Sequence, residues 1–130
     1  MNDAISRQTN IIQSPLFCAS ACPPGKKKTI MDAKDGYHSV VLAEGESREV
    51  TELLFEFGRY RCVESGQGLI CSGDGYTHRF DKITKKFTNV IQCVDNSLLW
   101  EDDVKSMFDL TCRYISTCSR EGINFNKNKF

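Results

Sequence analysis

Apolar side chains recur with a helical period in one stretch near the middle of the chain. In EVTELLFEFGRY, residues 49–60, four of them are spaced at i, i+3, i+4 and i+7: Val50, Leu53, Leu54 and Phe57. Because an α-helix has about 3.6 residues per turn, these positions share one face. The pattern predicts a helix over residues 47–59 that buries this face against a partner surface.

A second stretch shows the same pattern later in the chain. DVKSMFDLTCRY, residues 103–114, has a matching apolar face, which continues one residue beyond it: Val104, Met107, Phe108 and Ile115. Acidic side chains crowd the predicted first turn, where the positive end of the helix dipole favours them. The spacing predicts a second helix over residues 101–115.

The two stretches align without a gap, and so do the residues around them. HSVVLA precedes the first predicted helix where QCVDNS precedes the second, and GQGLIC follows the first where REGINF follows the second. Either an internal repeat, residues 29–72 and 83–126, or a chance similarity of two amphipathic helices accounts for the match. If the helices pack alike, Leu54 and Phe108 occupy equivalent buried sites.

The segments before, between and after the two helices are short and rich in β-branched or aromatic residues, which predicts strands. The predicted strands cover residues 37–43, 67–72, 75–81, 86–94 and 121–126. The fold class is therefore α+β: an antiparallel or mixed β-sheet covered on one face by two helices, with pseudo-repeated βαβ units. Residues 1–28, which include three prolines and a lysine run, are expected to form an irregular arm before a single domain at 29–130.

Seven cysteines are many for a chain of 130 residues. They are Cys18, Cys22, Cys62, Cys71, Cys93, Cys112 and Cys118. None lies in a CxxC pair, so their spacing favours a disulfide framework over a zinc site. We therefore expect a secreted, disulfide-stabilised protein in which the odd count leaves one thiol unpaired, although the pairing stays open.

The overall charge gives no reason to expect a strongly basic or acidic partner. Lys and Arg together number 17, as do Asp and Glu, so the formal net charge is zero. A neutral chain has no long-range attraction for nucleic acid or an anionic membrane, and no apolar run reaches the 18 residues of a membrane span. Nucleic acid is therefore not the favoured partner, and no cofactor or metal is expected.

One segment, THRFDKITKKF, concentrates basic side chains on what is predicted to be a hairpin. They are His78, Arg79, Lys82, Lys85 and Lys86, with two phenylalanines between them. A basic edge beside aromatic rings suits partner binding, and the alternative is a solvated hairpin whose lysines prevent aggregation. We assign these five residues as the candidate partner-binding site.

The chain has two histidines, and neither stands in a catalytic motif. His38 and His78 each lie on a predicted strand without an accompanying nucleophile or metal-binding pattern. A hydrolase would have to use one of them with Glu44 and Arg79 as partners. No catalytic residue is assigned, and we expect a protein that is not an enzyme.

The segment HRFDKITKKFTNVIQC resembles the paired strands of the ribonuclease-like effectors of plant-pathogenic fungi. The doubled βαβ order over residues 37–126 is similar to that of the killer-toxin-like effectors, whose core is two helices on a four-stranded sheet. In active members of the ribonuclease family a histidine follows the second strand, whereas here Cys93 stands at that place, which argues against RNA cleavage. The resemblance implies a secreted cysteine-rich virulence protein that binds a host protein, with delivery into a host cell as one route. The alternative it leaves is a small secreted ribonuclease that uses His38 or His78.

Overall fold

Antiparallel strands and four α-helices make up the part of the chain that the computed structural model describes, which is residues 13–66, 68–69 and 71–129. In chain order the elements are α1 (Pro15–Ala21), β1 (Lys27–Lys34), a 3-10 helix (Tyr37–Ser39), α2 (Glu46–Glu49), β2 (Leu53–Phe55), β3 (Gly58–Tyr60), α3 (Ser72–Thr84), β4 (Val90–Cys93), β5 (Asn96–Glu101), α4 (Val104–Arg120) and β6 (Asn124–Phe125). The predicted α+β class with an antiparallel sheet is confirmed.

The central sheet has the strand order β4-β5-β1-β6, and every pair of neighbours is antiparallel. Strand β1 pairs with β5 from Lys27, opposite Glu101, to Asp32, opposite Asn96. A tight turn joins β4 to β5, so these two strands form a hairpin beside β1. The sheet therefore brings the end of β1 next to the β4–β5 turn.

One face of the sheet carries the hydrophobic core. Helices α3 and α4 pack on this face, and the buried side chains include Met31, Ala33, Tyr76, Phe80, Leu99, Leu110 and Tyr114. Residues alternate along β1, so the side chains of Ile30 and Asp32 point to the opposite face. We call the face that carries Ile30 and Asp32 the open face.

Helix α4 confirms the second predicted helix and extends it to Arg120. Its N-terminus is capped by Asp103, whose Oδ1 accepts hydrogen bonds from the backbone N–H groups of Lys105 and Ser106. Hydrogen bonds from Ser106 are the first cause that holds the pKa of Asp103 below its ordinary value. The predicted apolar face is only partly the buried one, because Met107 is buried whereas Val104 and Phe108 are exposed.

The first predicted helix, residues 47–59, is wrong. This segment forms the short helix α2 and then the β2–β3 hairpin, in which Leu54 pairs with Arg59. Leu53 and Leu54 lie on strand β2, and Phe55 of that strand packs edge to face against Tyr60 of β3 with ring centroids 5.8 Å apart. Leu54 is 80% exposed and Phe108 is 67% exposed, so their predicted burial at equivalent sites is wrong too.

The predicted strand over residues 75–81 is also wrong, because it lies inside helix α3. Of the predicted strand over residues 67–72, Ser72 begins this helix and residues 68, 69 and 71 form no strand, whereas residues 67 and 70 lie outside the described residues. Tyr76, Phe80 and Ile83 follow one another at helical spacing and point into the core. Glycines at the start of this segment favoured a hairpin turn, but the packing of the three apolar side chains determines the outcome. The βαβ units are therefore not repeated in the structure, and whether the sequence was duplicated stays a hypothesis.

The predicted irregular arm, residues 1–28, contains regular structure in its described part. Helix α1 begins after Ser14, whose side chain accepts a hydrogen bond from the backbone N–H of Phe17. Strand β1 begins at Lys27 and so crosses the predicted boundary. Residues 1–12 lie outside the described residues.

Disulfide stabilisation is not confirmed. All seven cysteines lie in the described residues, and each is a free thiol. Cys18 and Cys118 are buried, whereas Cys112 is exposed. Within the same described ranges, no helix is both long and apolar enough to cross a membrane.

Candidate active site

The β4–β5 turn places Asp95 at the end of the sheet. Val94, the residue before it, has a φ of 56°, a left-handed conformation that is strained for a β-branched residue. The turn is held by two hydrogen bonds: Gln92 Nε2 donates to the Val94 carbonyl at 2.7 Å, and the Ala33 N–H donates to the Asp95 carbonyl at 2.8 Å. The second bond joins the turn to β1, so Asp95 is fixed beside the end of that strand.

Asp32 lies on β1, one residue before the contact that holds the turn. Its Cα partner across the strand pair is Asn96, and directly opposite residues of an antiparallel pair point to the same face. Asp32 therefore lies on the open face, with its side chain 18% exposed. The backbones that carry Asp32 and Asp95 are thus adjacent, although the two residues are far apart in the sequence.

A cleft of about 220 Å³ opens beside Asp95. Its lining residues come from the end of β1, the 3-10 helix, α3 and the turn: Ala33, Asp35, Gly36, Tyr37, His38, Tyr76 and Asp95. The rings of Tyr37 and Tyr76 meet edge to face with centroids 5.8 Å apart. The cleft therefore combines two carboxylates with an aromatic wall.

Gly36 and Tyr76 are fitted closely to each other in this cleft. A Cβ atom at residue 36 would lie 2.6 Å from Tyr76 Cζ, so any larger residue there would collide with the ring. Burial is the first cause that raises the pKa of the Tyr76 hydroxyl above its ordinary value, and the negative charge of Asp95 raises it further. The hydroxyl is therefore uncharged at neutral pH, and it has no hydrogen-bond partner among the described residues.

Basic side chains surround Asp32 on the open face. Lys28 and Lys34 lie on the same face of β1, because residues separated by an even number of positions along a strand share a face. Lys129 Nζ donates to Asp32 Oδ2 at 3.0 Å. The Asp32 carboxylate is thus paired with the Lys129 ammonium. Lys28 and Lys34 on the same face can attract anionic groups.

Asp32 and Asp95 offer carboxylate oxygens, which are the type of donor that a magnesium ion prefers. Mg²⁺ in proteins is commonly bound by one or two carboxylates and completed by water and substrate phosphates. Asp95 Oδ1 accepts a hydrogen bond from Asn96 Nδ2 at 3.0 Å, which orients the carboxylate and leaves further lone pairs free for other donors or a cation. Among the described residues no cluster of three or more His, Cys, Asp or Glu side chains is arranged to hold a metal, so substrate oxygens would have to complete the coordination here.

The five residues of the predicted partner-binding site do not form a hairpin. All lie on α3 or directly after it: His78, Arg79, Lys82, Lys85 and Lys86. Arg79 donates to the backbone carbonyls of Ser39 and Glu121, and Lys86 lies 3.5 Å from the Glu121 carboxylate. Arg79 therefore joins α3 to two other segments, and a partner-binding role of the group stays a prediction.

The two histidines considered for hydrolysis lie in different places. His38 lines the cleft, whereas His78 is on the exposed side of α3. Glu44 lies 3.7 Å from Arg48 in an ion pair of its own. The structure does not bring these groups together as a catalytic set.

Sequence reasoning missed Asp32, Asp95 and Tyr76. Each aspartate directly follows an apolar run, TIM in one case and VIQCV in the other. An acidic residue at the end of a buried strand was the available signal. It was not used because β1 was not predicted and the second run was assigned to the strand before a helix.

The fold is similar to part of the foamy virus protease–reverse transcriptases. The chain superimposes on the foamy viral protease–reverse transcriptase in complex with an RNA/DNA hybrid with a TM-score of 0.87 and 16% identity, over 98% of this chain and 17% of that one. For the native protease–reverse transcriptase of prototype foamy virus the TM-score is 0.78, with 21% identity over 95% of this chain and 17% of the other. For the foamy viral protease–reverse transcriptase in complex with double-stranded DNA, the TM-score is 0.71, with 15% identity over 81% of this chain and 22% of the other. The chain spans about a sixth of the length of the first two proteins.

No protein-family model matches the chain, and no curated protein matches it by sequence. The structural matches are below 25% identity, so they show the fold alone.

These matches correct the predicted identity. The resemblance to fungal effectors is wrong, because nearly the whole chain superimposes on a segment of viral protease–reverse transcriptases. The predicted effector function and virulence role, and the expectation that the chain is not an enzyme, are overturned by the same finding. A host-protein partner has no support, and secretion stays a prediction.

Proposed function

We propose that this chain is a domain of a nucleic-acid-processing enzyme that transfers a nucleotide from a nucleoside triphosphate to the hydroxyl end of a nucleic-acid strand with the help of Mg²⁺, with pyrophosphate as the leaving group. The observation that carries the proposal is the convergence of Asp32 and Asp95 on adjacent backbone positions beside an open cleft. The fold supports it, because solved proteins with this fold are described as protease–reverse transcriptases in complex with an RNA/DNA hybrid or double-stranded DNA. The proposal thus includes a metal ion, whereas the sequence analysis expected none.

Asp32 and Asp95 bind the metal in this proposal. When bound, Mg²⁺ neutralises charge on the reacting phosphate and lowers the pKa of an attacking oxygen. The Lys129 ammonium, which now contacts Asp32, must move when the ion binds, because both compete for the same carboxylate oxygens. Asn96 contributes by orienting Asp95 through its amide.

The cleft holds the nucleotide. Its volume of about 220 Å³ suits the sugar and phosphates of one nucleotide better than a nucleic-acid strand. Tyr37 offers an aromatic surface for the sugar, and Gly36 leaves room for the Tyr76 ring in the cleft wall. The phosphates then lie towards the two carboxylates, where the metal would hold them.

The strand to be extended lies on the open face. Lys28 and Lys34 are exposed there and flank Asp32 along β1. Lysines that contact backbone phosphates give an affinity that falls with salt and does not depend on base sequence. Helices α3 and α4 cover the opposite face, so the open face is the side from which a strand can reach Asp32, while Asp95 lies in the turn at the end of the same sheet.

Metal binding tests the proposal directly. Purified chain is titrated with Mn²⁺, a paramagnetic substitute for Mg²⁺, in the presence of a nucleoside triphosphate, and the free ion is counted by electron paramagnetic resonance. Asp32→Asn and Asp95→Asn should each weaken binding at least tenfold, because each removes a charged ligand. Asp109→Asn is the matched control, since Asp109 is exposed on α4 away from the site. Equal Mn²⁺ binding by all four proteins would refute the proposal.

Incubation with a labelled RNA/DNA hybrid then distinguishes nucleotide transfer from hydrolysis of the strand. Lengthening of the strand end in the presence of Mg²⁺ and nucleoside triphosphates supports nucleotide transfer. Shortening of the RNA strand without nucleotides would show instead that the chain hydrolyses RNA with the same two carboxylates, because metal sites of this kind serve both reactions.

A further inference from the structure

We propose that the Tyr76 hydroxyl positions the Asp95 carboxylate for metal binding, by donating a hydrogen bond to it when the ion is bound. This inference rests on the proposed function. Tyr76 lines the same cleft as Asp95 and is 1% exposed. Its hydroxyl oxygen is buried and has no partner in the described part of the chain.

An unpartnered buried hydroxyl works against folding. Burial removes the hydrogen bonds that the group makes with water in the unfolded chain, and nothing here replaces them. Phenylalanine would fill the same space without this penalty. The hydroxyl of Tyr76 is therefore explained by a role other than stability.

The other fully buried tyrosine of the core shows the contrast. The Tyr114 hydroxyl lies 2.9 Å from Ser97 Oγ and 3.4 Å from Thr84 Oγ1, so its hydrogen bonds are made inside the protein. The phenol of Tyr76 packs against the same core without such partners. The difference between the two tyrosines lies in what they face, which for Tyr76 is the cleft.

Asp95 is the acceptor that the geometry offers. Asp95 and Tyr76 line the same cleft, and one carboxylate oxygen of Asp95 already accepts from Asn96. A carboxylate has several lone pairs, so it can accept from Tyr76 and bind a cation at the same time. Gly36 packs on the Tyr76 ring near the hydroxyl and limits its movement.

Hydrogen bonds to a ligating group fix its orientation towards the metal. Loss of such an outer contact typically weakens metal binding about 10- to 100-fold. A phenol is protonated at neutral pH, so its hydroxyl can donate to the carboxylate. The proposed contact is therefore a fixed support for Asp95 and does not transfer a proton.

The test compares Tyr76→Phe with Tyr114→Phe in the complete chain. Mn²⁺ binding is measured by electron paramagnetic resonance with and without a nucleoside triphosphate, and thermal unfolding is followed by circular dichroism. Tyr76→Phe should weaken Mn²⁺ binding about tenfold while its Tm stays equal to that of the wild type or rises. Tyr114→Phe should lower the Tm and leave the Mn²⁺ affinity unchanged, because it breaks a hydrogen bond of the core.

Unchanged Mn²⁺ affinity in Tyr76→Phe would overturn the inference, provided that Asp95→Asn weakens it. A loss of nucleotide affinity with normal Mn²⁺ affinity would also overturn it, since the hydroxyl would then contact the nucleotide. If the wild-type chain itself binds no Mn²⁺, the proposed function fails together with the inference. These outcomes separate the two proposals.

Discussion

Alkaline pH should destabilise the protein through the buried thiol of Cys118. This residue lies on α4 in the core and is fully buried. Burial is the main cause that raises the pKa of its thiol from the ordinary value of 9.0 to about 11. The folded state therefore holds the proton more tightly than the unfolded state does.

The sign and size of the effect follow from this difference in pKa. The stability that the protonated thiol contributes is fully present below pH 9 and is lost as the pH rises through 11. Because one unit of pKa corresponds to about 1.4 kcal/mol, the full loss is about 2 to 3 kcal/mol, and about half of it is reached at pH 10. Burial also raises the pKa values of Tyr76 and Tyr114, but these groups ordinarily titrate near 10, so they act later.

Urea unfolding at several pH values between 8 and 10.5, with a reductant present, measures the effect. Wild-type protein should lose free energy of unfolding from pH 9 upwards. Cys118→Ala should be less stable at pH 8 because of the cavity, but its stability should fall much less between pH 9 and 10. Cys112→Ala is the control, because Cys112 is exposed on the same helix. An equally steep loss in Cys118→Ala would refute the reasoning.

Two further predictions concern packing and backbone strain. Leu110→Ala, at a site that is 3% exposed, should lower the free energy of unfolding by about 2 to 5 kcal/mol, whereas Phe108→Ala should change it by less than about 0.5 kcal/mol. Equal costs in urea unfolding would show that the assigned face of α4 is wrong. Val94→Gly should raise the free energy of unfolding by up to about 1 kcal/mol, because glycine accepts the positive φ without strain. A clear loss of stability in that variant would mean that the Val94 side chain contributes more through packing than the turn loses through strain.

The sequence predicted those elements whose local pattern agrees with their packing. Helix α4 has a capping Asp103 and an apolar face, and both signals indicate a helix. Residues 47–59 have the same apolar spacing, but Leu53, Leu54 and Phe57 are exposed in a hairpin, so their spacing does not mark the buried face of a helix. Helix α3 was missed because Gly73 and Gly75 favour turns locally, whereas the packing of its apolar side chains depends on distant strands.

The site was harder to predict than the fold class. Asp32 and Asp95 carry no fixed spacing, since their proximity is created by the pairing of β1 with β5. Tyr76 looked like part of a strand, and its unpartnered hydroxyl is visible only when the surrounding atoms are placed. The net charge of zero also gave no indication of the lysines that lie near Asp32 on the open face. Local signals therefore identified neither the partner class nor the reacting groups.

The pairing of β1 with β5 also bears on how fast the protein folds. These central strands stand near opposite ends of the described chain, so the loop between them must close before their hydrogen bonds form. Contacts of such long range slow folding, because the entropy of loop closure is lost before the contacts stabilise the chain. During synthesis, β1 has no partner strand until β5 has left the ribosome. The two aspartates are therefore among the last parts of the molecule to meet, and a nascent chain that ends before residue 96 has no assembled site.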